Sequence, residues 1–363
     1  MSKRDEILPL FPLKVRDLLS AAEIDFDKLS EIRLRVNQPV MLRTGQGGEM
    51  FLAERAKAPL RVTAQDIRDT VELISRHSLY AFEEDVKRGF LTVPGGHRVG
   101  IAGRVVLDGE RVAALRNISF LNIRVSHEVR GCAEEFLPYI IKRTVMNCSS
   151  ATPYGCDSPE DDYGHRTRRQ GVTPCGCDFS EQRRKSNADG GIVTEGKKNL
   201  SDTCHTLILS GPGGGKTTLL RDLVRLLSYA GKNVSVIDER SEIAACYQGV
   251  PENDLGPRTD VLDGCPKAVG CRMALRSLAP DILAVDELGG REDLEALSEV
   301  TACGCRILAT IHANGLEDLR AKPLFKEMRE QKTFERFLVR IPAVPVGHRG
   351  AWRVADEAGA WIL

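Results

Sequence analysis

The chain has 363 residues, 51 basic and 51 acidic, with 42% apolar and 28% charged residues. That length exceeds one ordinary core and predicts two domains, and the composition is that of a soluble globular protein. Zero net charge argues against a strong general attraction to nucleic acid or anionic lipid, while leaving room for a local patch.

The start, Met1-Ser2-Lys3-Arg4-Asp5-Glu6, leads into no long apolar stretch. No run approaches the roughly 20 apolar residues of a membrane-spanning helix. Neither a secretory signal nor a span is expected, and the reading is cytoplasmic. The 11 cysteines then read mostly as reduced thiols. Residues 1–143 mix strand and helix signals, as a small α+β domain does. Ile32, Leu34 and Val36 alternate with Arg33 and Arg35, the mark of a half-buried strand. Thr63 followed by Asp66 reads as a helix start, with Ile67, Val71 and Ile74 at helical spacing behind it. Val99, Ile101, Gly103, Val105 and Leu107 alternate again, and Asp108-Gly109 signals a hairpin returning from Arg111 towards Ile118.

From 144 to 203 glycine, serine, proline and charges dominate, too little apolar surface to offset ordering entropy, so this stretch reads as a disordered insertion or linker. Residues 204–363 read as α/β. Thr206–Leu209, Val234–Ile237, Ile282–Val285 and Ile307–Ile311 are short buried strands. Leu219, Leu220, Leu223, Leu226 and Leu227 stripe a helix ending near Gly231. Strands alternating with helices predict a parallel sheet covered on both faces. The tail beyond Phe337 reads as a last short strand pair.

The chemistry concentrates in this half. Ser210-Gly211-Pro212-Gly213-Gly214-Gly215-Lys216-Thr217, followed by Thr218, lies between a strand and a helix. Glycines there let backbone N–H groups curl around an anion at a helix N-terminus. Lys216 can reach terminal phosphates and Thr217 can ligate Mg²⁺. The first position of such a loop is usually glycine; here it is Ser210, at a place that shapes the turn. Four apolar residues then run into Asp286-Glu287, at the strand edge where open α/β sheets bind ligands. Asp286 is expected to hold the Mg²⁺ shell, and Glu287 to act as general base on the attacking water. Asp238 and Glu239, read as nucleotide-binding residues, open an acidic run that continues to Glu242, and His312 ends a later strand, where it can sense the γ-phosphate or couple it to a neighbouring domain as part of the catalytic set.

This order of P-loop, acidic box, Asp-Glu strand end and histidine box resembles the secretion ATPases of type II secretion, type IV pili and conjugation. More closely, the chain resembles the stage III sporulation protein AA family. The resemblance rests on Ser78-Leu79-Tyr80-Ala81 through Gly95-Gly96-His97-Arg98-Val99-Gly100, on Leu121–Val125, on Val236–Ile243 and on Gly256–Asp263 with Cys265–Ala268. It implies a RecA-like P-loop core preceded by a smaller α+β domain, assembled as a homo-hexamer and using ATP and Mg²⁺. It further implies an ATPase that energises or assembles the channel between mother cell and forespore. It would sit in the mother-cell cytoplasm, held at the membrane by membrane proteins from the same sporulation operon. Arginines of the N-terminal domain would help neutralise phosphates, with Arg98, Arg104 and Arg116 as candidates. On a regular strand Arg98 and Arg104 share a face about 20 Å apart. A simple register at Asp108-Gly109 pairs Arg116 with Ile101 on the opposite face, so the three serve one phosphate only if a bulge intervenes.

Two other readings stand beside this one. An ATP-binding assembly subunit would show little turnover. A nucleic-acid-handling ATPase would need a basic aromatic face, which 5% aromatics and balanced charge do not indicate, so no nucleic-acid partner is expected. Cys148, Cys156, Cys175, Cys177 and Cys204, with His165 and His205, lack the paired spacing of zinc knuckles. Cys303-Gly304-Cys305 reads as packing beside a strand.

Overall fold

The computed structural model describes residues 2–45, 48–52, 61–75, 89–109, 111–141, 203–341 and 351–363. The Ser78–Ala81 stretch and residues 144–202, with Cys148, Cys156, His165, Cys175 and Cys177, lie outside the described residues.

The N-terminal half is a six-stranded antiparallel sheet. Its strands are β1 (Leu29–Arg35), β2 (Met41–Thr44), β3 (Glu49–Phe51), β4 (Phe90–Val93), β5 (His97–Asp108) and β6 (Arg111–Arg124), in the order β3-β2-β1-β6-β5-β4. Helices α1 (Lys3–Ile7), α2 (Leu13–Ala21) and α3 (Ala64–Ile74) cover one face. Strand alternation sends Ile32, Leu34, Val99, Ile101, Leu121 and Ile123 into that core, against Phe11, Val15, Ile67 and Val71. Helix α3 begins as its sequence predicts. The Asp66 N–H donates to Thr63 Oγ1 at 3.1 Å and the Thr63 N–H donates to Asp66 Oδ2 at 2.7 Å.

The β5–β6 hairpin corrects the simple register. Asp108 pairs with Arg111, so the turn lies one residue later than Asp108-Gly109. The register then shifts between Val106 and Leu107 and again between Ala102 and Arg104. Both shifts insert residues into β6; the later turn and the first shift bring Arg116 directly opposite Arg104 instead of Ile101, and the second shift lies beyond that pair. At the second shift Asn117 adopts φ 48°, and the β6 backbone crowds Gly103, where a Cβ would lie 2.7 Å from the Arg116 carbonyl oxygen.

The C-terminal half is a seven-stranded sheet of β7 (Thr206–Ser210), β8 (Val234–Asp238), β9 (Thr259–Asp263), β10 (Ile282–Val285), β11 (Arg306–His312), β12 (Arg336–Arg340) and β13 (Trp352–Asp356), in the order β13-β12-β7-β11-β10-β8-β9. Every neighbouring pair is parallel except β12–β13, the strand pair expected in the tail. Strand β9 is the one that hydropathy missed: its Thr-Asp-Val-Leu-Asp sequence is charged because it is a sheet edge. Helices α5 (Lys267–Ser277), α6 (Arg291–Ala302) and α8 (Pro323–Glu330) pack against Leu207, Leu209, Leu283 and Val285. Helix α4 (Lys216–Tyr229) covers the other face, against Ile208, Val236, Ala284 and Leu308. Central strands buried on both sides explain the unbroken apolar runs in the sequence. Short α7 (Leu316–Ala321) precedes α8.

After Val125 the chain leaves the N-terminal core. Ala133, Phe136, Leu137 and Ile140 pack with α4 in the C-terminal cluster. Cys305 is buried at the start of β11, as expected, whereas Cys303 is exposed at the end of α6. Among the described residues no helix is long and apolar enough to cross a membrane.

Candidate functional site

Parallel register aligns strand ends. Ser210 on β7 is level with His312 on β11, Ala309 with Val285 on β10, and Val285 with Ile237 on β8. The loops after β7, β8 and β10 and the end of β11 therefore meet at one carboxyl edge, the place such sheets keep for ligands.

The loop after β7 is held open by glycine. Gly213 and Gly215 take φ 69° and 88°, and Gly215 caps α4. A Cβ on Gly214 would stand 2.4 Å from Ser210 Oγ and 2.7 Å from Ser210 Cβ. Ser210 is buried, and its hydroxyl donates to the Gly211 carbonyl at 2.9 Å, within the turn. Thr218 follows in the first turn of α4. Among these residues stands a buried ammonium. Lys216 Nζ lies 3.0 Å from His312 Nδ1 and 3.5 Å from the Gly211 carbonyl. Burial lowers the Lys216 pKa, partly offset by Asp286, Glu287 and Glu242.

The carboxylates face this lysine. The Thr217 hydroxyl donates to Asp286 Oδ2 at 2.7 Å. Asp286 Oδ1 accepts from the buried Thr310 hydroxyl on β11, and Thr310 Oγ1 accepts the Glu287 N–H at 2.8 Å. Glu287 itself sits at φ 53°, a left-handed conformation that costs a non-glycine residue energy and that these bonds hold in place. Its side chain is gripped at both oxygens: His312 Nε2 lies 2.9 Å from Oε1, and Arg240 Nη1 lies 2.6 Å from Oε2. An ammonium only donates and a carboxylate only accepts, so Nδ1 of His312 is the acceptor and Nε2 carries the proton. Burial alone would raise the Glu287 carboxyl; the His312 hydrogen bond, Arg240 and Lys216 outweigh it and hold it below the usual glutamate range.

The acidic box behaves differently from its sequence reading. Asp238 is fully buried and accepts the N–H groups of Glu242, Ile243 and Ala244 at 2.8, 2.9 and 2.8 Å, shaping the loop after β8 from below. Burial pushes its pKa up to about 6 against these bonds. Arg221 of α4 fastens the same loop by donating to the Glu242 and Ile243 carbonyls. Glu239 faces outward and pairs with Lys267.

Of the three arginine candidates, one reaches this edge. Arg98 pairs with Glu242 at 2.6 Å and lies 3.6 Å over the Phe90 ring. Arg104 and Arg116 are exposed beyond the Gly103 bulge, six residues along β5. The halves also meet where the Gly95 N–H donates to Glu252, the Asp254 N–H to Glu128, and the Ala133 N–H to Asp222. Sequence reading missed Arg240 and Thr310 as parts of the site. Arg240 was legible only as one cation in an acidic run, and a threonine inside a strand carries no signal. His205 Nδ1 accepts the Ile307 N–H, and among the described residues no cluster of three His, Cys, Asp or Glu forms a metal cage.

A family model described as "Sporulation stage III, protein AA" matches residues 1–157 and 185–351. The chain belongs to the stage III sporulation protein AA family. The Stage III sporulation protein AA of Bacillus subtilis (strain 168) is 33% identical over 341 residues, spanning 92% of this chain and 90% of that one. Among solved structures, the ATPase DotB of Legionella pneumophila superposes with TM-score 0.53 at 15% identity, over 96% of this chain and 81% of that one. The pilus retraction motor PilT, solved with bound ADP, superposes with TM-score 0.51 at 14% identity, over 96% and 82%. This member of the stage III sporulation protein AA family thus shares the fold of secretion ATPases.

Proposed function

We propose that this family member is a P-loop ATPase that energises or assembles the channel between mother cell and forespore. The observation that carries the reading is the convergence of Lys216, Thr217, Asp286, Glu287 and His312 beside a glycine-propped loop at one sheet edge. ATP would lay its phosphates on the loop N–H groups from Gly211 to Thr218, the role here assigned to that run. Lys216 would exchange His312 for phosphate oxygen. Thr217 Oγ1 and Asp286 Oδ2, hard oxygen donors 2.7 Å apart, would hold a Mg²⁺. When bound, Mg²⁺ supplies charge neutralisation at the phosphates.

Once Lys216 turns to phosphate, His312 loses one of its two partners, and Glu287 can exchange its own for the attacking water and take its proton. Arg98 stands ready to exchange Glu242 for phosphate; Arg104 and Arg116 would act across a subunit boundary of a homo-hexamer. Asp238 and Glu239 would support this edge through their loop. The reading keeps a division into residues 1–143, 144–203 and 204–363. It places the protein in the mother-cell cytoplasm, docked on membrane proteins of the sporulation channel.

One observation favours a second reading, an ATP-binding assembly subunit: both Glu287 oxygens are already engaged. The test is ATP turnover of the full chain beside Glu287→Gln, with assembly followed by light scattering. A motor loses roughly a hundredfold or more in turnover on losing its base, while keeping ATP-dependent assembly. Equal turnover in both would sink the Glu287 assignment. Assembly without turnover in either would favour the second reading.

A further inference from the structure

The sequence totals balance, but the fold does not distribute them evenly. The face of the N-terminal sheet that points away from its core carries Arg33 and Arg35 on β1, Arg98 and Arg104 on β5, and Arg116 and Arg124 on β6. Register sets Arg98 directly opposite Arg124 and Arg104 directly opposite Arg116. Like charges so placed repel unless an anion lies between them. Glu242 answers Arg98 and Glu31 answers Arg33. Among the described residues, Arg104, Arg116 and Arg124 make no side-chain hydrogen bond or ion pair.

A cavity of about 340 Å³ opens on this face, lined by Arg33, Arg35, Gly100, Ala102, Phe120 and Asn122 among others. Three features make it a built site. Arg35 is half-buried, and its side-chain partner among the described residues is the Met41 thioether at 3.5 Å, a poor acceptor for a guanidinium. Asn122 Oδ1 is buried without a hydrogen-bond partner. Phe120, paired between Arg35 and Ala102, is 48% exposed. Gly100 and Ala102 leave a low floor beside that ring.

We infer that this face is a nucleotide-binding site separate from the P-loop, in which Phe120 stacks a base, Arg35 takes a phosphate and the Asn122 amide reads the base edge. A carboxylate would satisfy Arg35 alone; the bare ring beside it calls for a ligand that is flat as well as anionic. Sheet faces that combine exposed aromatics with arginines hold nucleotides this way. The chemistry is shared by a free mononucleotide and by a unit of a single strand, and the unpaired Arg124 on β6 extends the track for the strand.

The test uses the full chain with Lys216→Ala to silence the P-loop. Three probes are titrated: AMP, a fluorescein-labelled 12-mer of deoxythymidine, and a labelled 12-residue glutamate peptide. Binding of the 12-mer or of AMP is expected, with only weak binding of the peptide. Phe120→Ala should weaken that binding about five- to 140-fold, Phe120→Trp should retain it, and Arg35→Gln should weaken the 12-mer and reduce its salt slope by about one. Binding of AMP alone would assign the site to a free nucleotide, and binding of the 12-mer alone to a strand. The inference is overturned if neither binds, if both Phe120→Ala and Arg35→Gln leave affinity unchanged while unfolding normally, or if the peptide binds as well as the 12-mer.

Discussion

Asp238 sets burial against hydrogen bonding, and Asp238→Asn decides between them. The carboxylate is 1% exposed and accepts three backbone N–H groups. Those bonds favour the charged form; burial opposes it and wins, lifting the pKa from 3.8 to about 6. Raised by about two units, the folded group binds its proton more tightly than the unfolded one. Its contribution to stability is therefore full below the unfolded pKa and falls as pH rises to the folded value, by about 3 kcal/mol at 1.36 kcal/mol per unit. Asparagine does not titrate. The unfolding free energy of the wild type, measured in urea, should fall by about 2.4 kcal/mol relative to Asp238→Asn between pH 4 and pH 7, the first ~0.6 kcal/mol having been lost below pH 4. A wild type that instead gains on the variant as pH rises would show that the three N–H bonds outweigh burial, and would refute the argument.

Other outcomes follow from single contacts. Gly214→Ala drives a Cβ into the Ser210 Cβ at 2.7 Å, so the loop must shift. Saturating ATP, worth about 2.7 kcal/mol at a hundredfold over Kd, should no longer raise the unfolding temperature; an unchanged shift would show the loop tolerates the methyl. Thr310→Val keeps the shape of a fully buried side chain but removes one bond to a carboxylate and the acceptor of the Glu287 N–H. A loss of about 2–4 kcal/mol in urea unfolding is expected, and a change below about 0.5 kcal/mol would contradict the role given to Thr310. For Arg98 and Glu242, whose side chains are 22% and 31% exposed, a double-mutant cycle with Arg98→Ala and Glu242→Gln should give about 1 kcal/mol of coupling, or none if the pair merely touches.

Much of the candidate site was legible because its parts are local in sequence. Glycines between a strand and a helix dictate a loop that only small residues can form, and an apolar run ending in Asp286-Glu287 puts two acids at a strand edge whatever surrounds them. The same holds for the Thr63–Asp66 cap, which spans one helical turn. Tertiary structure decided what depends on residues far apart. Arg240 and Glu287 are 47 positions apart, and only the β8–β10 pairing brings them to 2.6 Å. Asp238 became a buried loop anchor because the following turn folds its N–H groups back upon it. The one-residue bulge in β6 opposite Val106 and Leu107 moved Arg116 from one face to the other, since one inserted residue reverses the alternation of every side chain beyond it. A net charge of zero concealed a basic sheet face for the same reason: composition counts charges, whereas strand register determines which of them stand together.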